Sequence, residues 1–358
     1  MAELPSAINQ IINDPSLSRM EWGIQILTKN PSTSQYQSLY SINEQQFFVP
    51  ASNNKVLSTA AAFLYLGQDY RVQTPIYASS NLTNPTLTSV CIAGRGDPSF
   101  TSIQLHEIVQ QFVSAGVQTI DSIYLDDTYF QPPFPQAWEW EDLQASYGAQ
   151  PTSFVLNQNN IEFTLSPANV VEEPPLLNFA HQYDYKCVEI SNHAVTISEN
   201  SSVKFPLSVG YKLGLNSIQI AGQIPADSSP QTYIVNSLTP IDRFSCALEQ
   251  IFTLSNFKTN VERKQCDPLN DPTSNLELVF TVASPLLLNT MNYTLQVSNN
   301  LYAECFQRCL GNEMSGIEGA TAHARGIAAV RSVLSSHGVD VSSFQQDDGS
   351  GLSRHNLV

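Results

Sequence analysis

Residues 50–67 read Pro50-Ala-Ser-Asn-Asn-Lys-Val-Leu-Ser-Thr-Ala-Ala-Ala-Phe-Leu-Tyr-Leu-Gly67. Alanine and leucine are strong helix formers, and glycine commonly follows a helix end, so this stretch predicts a buried helix that is closed by Gly67. The residues before it, 21–49, alternate between apolar and polar side chains as paired strands do, with a turn through Asn30-Pro-Ser32. Ser52 is therefore expected at the N-terminus of a helix that follows a strand-like stretch.

Ser52 and Lys55 form a Ser-x-x-Lys pair in this setting. On the first turn of a helix this spacing places hydroxyl and amine side by side, so that the lysine can act as the base for the serine. Burial lowers a lysine pKa and makes the neutral amine available, while the helix N-terminus stabilises an acyl oxyanion. The alternative is that Ser52 is simply a helix-capping serine.

The bare pattern has little weight, because it also occurs as Ser201/Lys204 and Ser255/Lys258. The first of these lies in a polar stretch that Pro206 soon interrupts, and no helical run follows the second. Context therefore favours the pair at the start of the alanine-rich helix.

The composition excludes several classes of partner. The chain has 358 residues and a formal net charge of -16, which repels nucleic-acid phosphates and anionic lipid surfaces. No apolar run approaches the roughly 18 residues that a membrane span needs. The first residues have neither the basic nor the apolar region of a secretory signal, so we expect that a signal was removed or that the protein stays inside. The sequence does not predict the oligomeric state.

Six cysteines are scattered along the chain, and their redox state stays open. Cys305 and Cys309 are four residues apart in a predicted helix, which puts both thiols on one face. A zinc site would need two more ligands at suitable spacing, and the interpretation as small buried packing residues is preferred. We predict neither a metal nor a cofactor.

The pattern along the chain predicts a mixed α/β (α+β) protein in which one domain is interrupted by a long insertion. Residues 1–70 and 286–358 are expected to form one interrupted α/β domain together. Residues 71–285 consist mostly of short β-like runs punctuated by proline, asparagine and glycine, with a smaller α/β subdomain at about 98–160.

Ser298 and Asn300 match Ser-x-Asn, the second element of active sites that use Ser-x-x-Lys. This pattern is common here, since Ser41/Asn43, Ser52/Asn54, Ser79/Asn81 and Ser198/Asn200 also match. Ser298 differs because it lies between two apolar helices in the returning part of the chain, where a short loop could face Ser52. The alternative is a helix C-cap followed by an N-cap.

Four motifs occur in the order seen in the D-alanyl-D-alanine carboxypeptidase/endopeptidase family of low-molecular-weight penicillin-binding proteins. They are Pro50-Ala-Ser-Asn-Asn-Lys55, Gly94-Arg-Gly-Asp-Pro98, Ser298-Asn-Asn300 and Asp348-Gly-Ser-Gly-Leu-Ser-Arg-His-Asn-Leu357. The resemblance extends from Trp22 onward, and the last motif is its most specific element. Class A β-lactamases place the first and third of these motifs much closer together.

The resemblance implies a β-lactamase/transpeptidase-like domain and a serine acyl-enzyme hydrolase of peptidoglycan peptides that also binds β-lactams. Ser52 would be the nucleophile, Lys55 its proton acceptor, Ser298 a proton relay to the leaving D-alanine nitrogen, and Asn300 a donor to the substrate peptide. It also implies a periplasmic or other extracytoplasmic location, without metal or organic cofactor.

The family's third motif, Lys-Thr-Gly, does not occur in these 358 residues. We therefore expect a C-terminally truncated form that lacks the last strands of the domain and whose activity is impaired, since the loss of one oxyanion donor typically costs about 2.7–4 kcal/mol of transition-state stabilisation. The rival expectations are a non-catalytic protein that binds peptidoglycan or a partner, and an unrelated β-rich adhesion protein.

Overall fold

The structure is a computed structural model that describes residues 3–131, 137–199, 201–212, 214–270 and 274–358. In these ranges the helices are α1 (Glu3–Ile12), α2 (Lys55–Leu66), α3 (Ser102–Ala115), α4 (Trp140–Gln144), α5 (Asp184–Cys187), α6 (Pro240–Leu254), α7 (Leu287–Val297), α8 (Asn300–Glu313) and α9 (Ala322–Ser336). None of them combines the length and the apolarity that a membrane-spanning helix requires.

The strands are β1 (Ile24–Lys29), β2 (Tyr36–Ile42), β3 (Gln73–Ala78), β4 (Thr86–Ala93), β5 (Thr119–Asp126), β6 (Asn160–Ser166), β7 (Leu176–Phe179), β8 (Ile190–Asn192), β9 (Val195–Ile197), β10 (Ser208–Tyr211), β11 (Ile218–Ala221), β12 (Gln223–Pro225), β13 (Gln231–Asn236), β14 (Asn260–Arg263) and β15 (Glu277–Ala283). The predicted α/β class is confirmed.

The N-terminal hairpin is present, because β1 pairs with β2 in antiparallel fashion. The strand-like alternation predicted for residues 21–49 is wrong at its end, because residues 47–49 form no strand. Phe48 instead exchanges two backbone hydrogen bonds with Val358. This single exchange satisfies the backbone of Phe48 without extending the hairpin.

Helix α2 packs against α8 and α9, so the two ends of the chain share one core. Apolar side chains from both ends meet in it, among them Ala61, Leu310, Val330 and Leu334. Helices α8 and α9 approach so closely that a Cβ on Gly326 would lie 2.6 Å from the carbonyl oxygen of Gln307. Glycine at this crossing thus allows α8 and α9 to pack closely. Helix α2 ends at Gly67, as predicted.

The middle of the chain contains several sheets. Five strands pair in the order β14-β5-β4-β3-β15, and α3 and α6 cover this sheet with Leu105, Phe112, Phe244 and Leu248. Smaller sheets pair β13-β6-β7, β10-β11-β8 and β12-β9. The subdomain predicted at about 98–160 contains α3 and β5. The sheet to which β5 belongs also takes strands from outside that interval. The domain boundaries stay predictions.

Two disulfides link distant parts of this middle region. Cys91 of β4 is bonded to Cys266 beyond β14, and Cys187 of α5 is bonded to Cys246 of α6. The redox state of these four cysteines, which the sequence left open, is thereby assigned. Cys305 and Cys309 on α8 are buried with free thiols, and the described residues contain no cluster of three or more metal-ligating side chains.

Candidate active site

Ser52 and Lys55 lie on neighbouring turns at the start of α2. Ser52 belongs to a short 3₁₀ turn, Ala51–Asn54, and Lys55 is the first residue of the helix. The Nζ of Lys55 donates to the Oγ of Ser52 at 3.0 Å. Ser52 is exposed while Lys55 is 1% exposed. Because no capping hydrogen bond from a side chain is made at this helix end, the interpretation of Ser52 as a helix cap has no support here.

The Lys55 amine has two further partners. It donates to the Oδ1 of Asn300 at 2.5 Å and to the carbonyl oxygen of Ser350 at 2.9 Å. Burial lowers the pKa of Lys55 to about 8, against the opposing attraction of the Glu304 and Asp348 carboxylates. An amine with this pKa is neutral in roughly one molecule in ten at pH 7, which makes it an available base.

Asn300 is the first residue of α8 and follows a tight turn. Ser298 ends α7 with φ 57° and ψ 42°, and Asn299 caps α8 by accepting from the backbone N–H of Tyr302. The backbone therefore forms the C-cap and the N-cap that the alternative interpretation expected. The same turn directs the side chain of Asn300 toward Lys55. The Nδ2 of Asn300 donates to the carbonyl oxygen of Tyr147 at 2.9 Å.

Ser298 is exposed and lies beside this cluster. It lines a cleft of about 190 Å³ together with Tyr147 and Asn300. Its hydroxyl has no hydrogen bond to Ser52 or Lys55 in the described part of the chain. The structure thus brings Ser52, Lys55 and Asn300 together, and places Ser298 in the adjoining cleft that Asn300 also lines.

The other candidate pairs are placed differently. Lys204 and Lys258 are both exposed, in contrast to Lys55. Among the further Ser-x-Asn matches, Asn54 donates to the Asp348 carbonyl. Asn200 lies outside the described residues.

The segment 348–357 was predicted only as a family motif, without a function in the site. Its carbonyl oxygens receive hydrogen bonds from α2, including one from the Ser58 hydroxyl to Gly349 at 2.7 Å. The Asp348 carboxylate organises the segment, since it accepts from the backbone N–H groups of Gly351 and Ser353 and from the indole of Trp138. Burial raises the pKa of Asp348 to about 6.

Glu304 was also not among the predicted site residues. It is completely buried and accepts from the backbone N–H groups of Gly349 and Ser350, both at 2.8 Å. Arg308, one turn later and equally buried, donates to its other oxygen at 2.7 Å. The signal in the sequence was a Glu–Arg pair at helical i,i+4 spacing inside a largely apolar run.

Gly351 provides a test of this packing. Its φ is +83°, and a Cβ there would collide with the carbonyl oxygen of Ala51, next to Ser52. Gly351→Ala is expected to combine the strain of a left-handed alanine, about 1–2 kcal/mol, with an overpacking cost of about 1–3 kcal/mol. Chemical denaturation measures the sum.

Gly338→Ala is the matched control, because Gly338 has φ +84° and open space around it. It should show the backbone strain alone. Equal losses of stability in the two variants would contradict the close contact between Gly351 and the Ser52 turn.

Comparison with known proteins adds to this geometry. Residues 4–358 match the family described as D-Ala-D-Ala carboxypeptidase 3 (S13). The chain is 30% identical to the penicillin-sensitive carboxypeptidase A of Dictyostelium discoideum, over 98% of this chain and 70% of that protein. It is 28% identical to the D-alanyl-D-alanine carboxypeptidase of Actinomadura sp. (strain R39), over 100% of this chain and 66% of that protein.

Solved structures show the same fold. Penicillin binding protein 4 (dacB) from Haemophilus influenzae superimposes with a TM-score of 0.80 at 21% identity, covering 99% of this chain and 75% of that chain. The same protein complexed with a novel β-lactam gives a TM-score of 0.70 at 20% identity, covering 93% of this chain and 70% of that chain. The resemblance drawn from the four motifs is confirmed, and the chain belongs to the D-Ala-D-Ala carboxypeptidase 3 (S13) family.

Proposed function

We propose that this chain is a serine-type D-alanyl-D-alanine carboxypeptidase/endopeptidase that cleaves peptidoglycan peptides through an acyl-enzyme and is acylated by β-lactams. The observation that carries the proposal is the buried Lys55 amine, which lies 3.0 Å from the exposed Ser52 hydroxyl and 2.5 Å from Asn300. A buried amine beside an accessible hydroxyl is the arrangement that activates a serine nucleophile. The names of the relatives support the substrate class.

In the proposed reaction the neutral amine of Lys55 takes the proton of Ser52 as its Oγ attacks the carbonyl carbon of the terminal peptide bond. The carbon–nitrogen bond then breaks, and the proton held by Lys55 passes through Ser298 to the D-alanine nitrogen, which leaves the amine neutral again. Water releases the acyl group from Ser52 and restores the hydroxyl. With a β-lactam the same attack opens the ring, but the leaving nitrogen stays attached to the acyl group.

Asn300 fits two functions at once in this scheme. Its Oδ1 holds the Lys55 amine and its Nδ2 donates one proton to Tyr147, so the second amide proton is available to a substrate carbonyl. The exposure of Ser298 beside the cleft supports a relay position. Both assignments are part of the proposal.

The location belongs to the proposal as well. The two disulfides favour an oxidising, extracytoplasmic location.

The direct test is release of D-alanine from an acyl-D-alanyl-D-alanine peptide, compared between the wild type and Ser52→Ala. Release by the wild type alone is expected. Binding of muropeptides without release and without acylation would instead favour the rival, a non-catalytic protein that binds peptidoglycan or a partner.

Acylation should depend on pH through Lys55. Its pKa is lowered from 10.5 to about 8, so the neutral base is scarce below pH 8 and complete above it. The rate of β-lactam acylation is expected to rise about tenfold per pH unit below 8 and to level off above it. Time-resolved mass spectrometry measures the rate, with drug decay in buffer as the control; a rate that is flat between pH 6 and 9 would contradict Lys55 as the base.

A further inference from the structure

Helix α8 presents three polar side chains on one face toward the catalytic cluster. Asn300, Glu304 and Arg308 follow one another at intervals of four residues, which aligns them along the helix. Asn300 contacts Lys55 directly, and Glu304 lies one turn further along. The reaction proposed above uses Asn300 but leaves the buried Glu304 without a function.

The contacts of Glu304 lead back to Lys55 through a single residue. Its Oε1 accepts the N–H of Ser350 at 2.8 Å, and the carbonyl of the same Ser350 accepts from the Lys55 amine at 2.9 Å. The N–H of Gly349 reaches the same carboxylate oxygen. A displacement of this backbone from Glu304 therefore moves an acceptor of Lys55.

We propose that Glu304 is a positioning residue for the Ser52–Lys55 pair, and this rests on the proposed function. Its carboxylate holds the 349–350 backbone against the Lys55 amine, and its charge sets the pH above which that amine becomes a base.

The charged groups around the site determine how the charge of Glu304 affects the pH at which Lys55 becomes a base. Lys55 faces Glu304 from α8 and Asp348 from the C-terminal segment. Glu304 faces Arg308 on its own helix and His323 on α9. Burial opposes ionisation of Glu304, but the Arg308 guanidinium, with His323 and the hydrogen bonds from Arg308 and Ser350, outweighs it and lowers the pKa of the carboxyl group. Burial and the nearby Arg308 lower the pKa of His323, which favours its neutral form at pH 7–9.

Asp348 is largely ionised above its pKa of about 6. Lys55 is therefore the group of this cluster that changes charge between pH 7 and 9. Without the charge of Glu304, the ammonium form of Lys55 loses an attractive neighbour while Arg308 stays, so the pKa of Lys55 must fall.

The test is the pH profile of benzylpenicillin acylation in Glu304→Gln. We expect the plateau rate to fall about 10–100-fold, because the Ser350 carbonyl is less well held. We also expect the midpoint of the profile to move to lower pH by about one unit or more. Glu313→Gln is the matched control, because Glu313 lies on the same helix but is exposed and accepts a hydrogen bond from the Tyr129 hydroxyl. This variant should leave the pH profile unchanged.

A lower rate with an unmoved midpoint would mean that Glu304 is only structural, and an unchanged profile would mean that it has no effect; either result overturns the inference. If Glu304→Gln does not fold, Glu304→Gln combined with Arg308→Gln replaces the buried ion pair by two amides; its midpoint should move in the same direction but by less, because the loss of the more distant Arg308 charge partly offsets the loss of Glu304. Failure of both variants to fold would make Glu304 a folding residue and also overturn the inference. Absence of any Ser52-dependent adduct in the wild type would instead overturn the proposed function itself.

Discussion

Lys55→Met is expected to slow acylation of Ser52 by roughly 10²–10⁴-fold. Methionine has a similar length and no proton acceptor, so the hydroxyl of Ser52 loses the amine that lies 3.0 Å away. The substitution also removes the donor to the Asn300 Oδ1 and to the Ser350 carbonyl, which costs some stability. The rate is measured as adduct formation with benzylpenicillin in single turnovers, and circular dichroism checks that the variant is folded.

Lys204→Met and Lys258→Met are the matched controls for this substitution. Both lysines stand three residues after a serine, as Lys55 does, but both are exposed. They should acylate at the wild-type rate. A folded Lys55→Met protein with wild-type acylation, or an equal loss in either control, would contradict Lys55 as the proton acceptor.

Arg243→Met is expected to lower the free energy of unfolding by about 3–5 kcal/mol. Arg243 and Asp184 are 2% and 1% exposed, and their ion pair connects α6 to α5 at 2.6 Å. Arg243 also donates to the carbonyl oxygen of Leu156. Without the arginine the Asp184 carboxylate is left buried and unpaired, which is the costly situation. Chemical denaturation measures the loss.

Arg263→Met separates this effect from the loss of any ion pair. Arg263 is 47% exposed and pairs with Asp127 and Asp242. An exposed pair of this kind contributes at most about 1 kcal/mol, so the variant should be nearly as stable as the wild type. Equal losses in the two arginine variants would show that burial does not govern the stability of these pairs.

Local patterns in the sequence predicted the elements that carry the nucleophile. The alanine-rich run after Lys55 predicted α2, and the alternation between residues 21 and 49 predicted the β1–β2 hairpin. Periodicity works here because each pattern reflects burial of one face of a single element. The strand expected at 47–49 failed, since a short apolar run has no periodicity that distinguishes a strand from a loop.

The long-range contacts of the site could not be predicted from such patterns. The acceptor of Lys55 at Ser350 lies 295 residues further along the chain. Glu304 was visible only as a charged residue in an apolar helix, and its partners at Gly349 and Ser350 follow from packing between α2 and α8. The same holds for β14 and β15, which join β5 and β3 from far along the chain.

The proposed reaction requires that Ser52 is the residue that forms the covalent bond. The most direct measurement is intact mass spectrometry after prolonged incubation with benzylpenicillin, followed by peptide mapping, on the wild type and on Ser52→Ala. We predict that the wild type gains the mass of one drug molecule on the peptide that contains Ser52, and that the variant gains none. An adduct that persists in folded Ser52→Ala, or that maps to Ser201 or Ser255, would contradict the account.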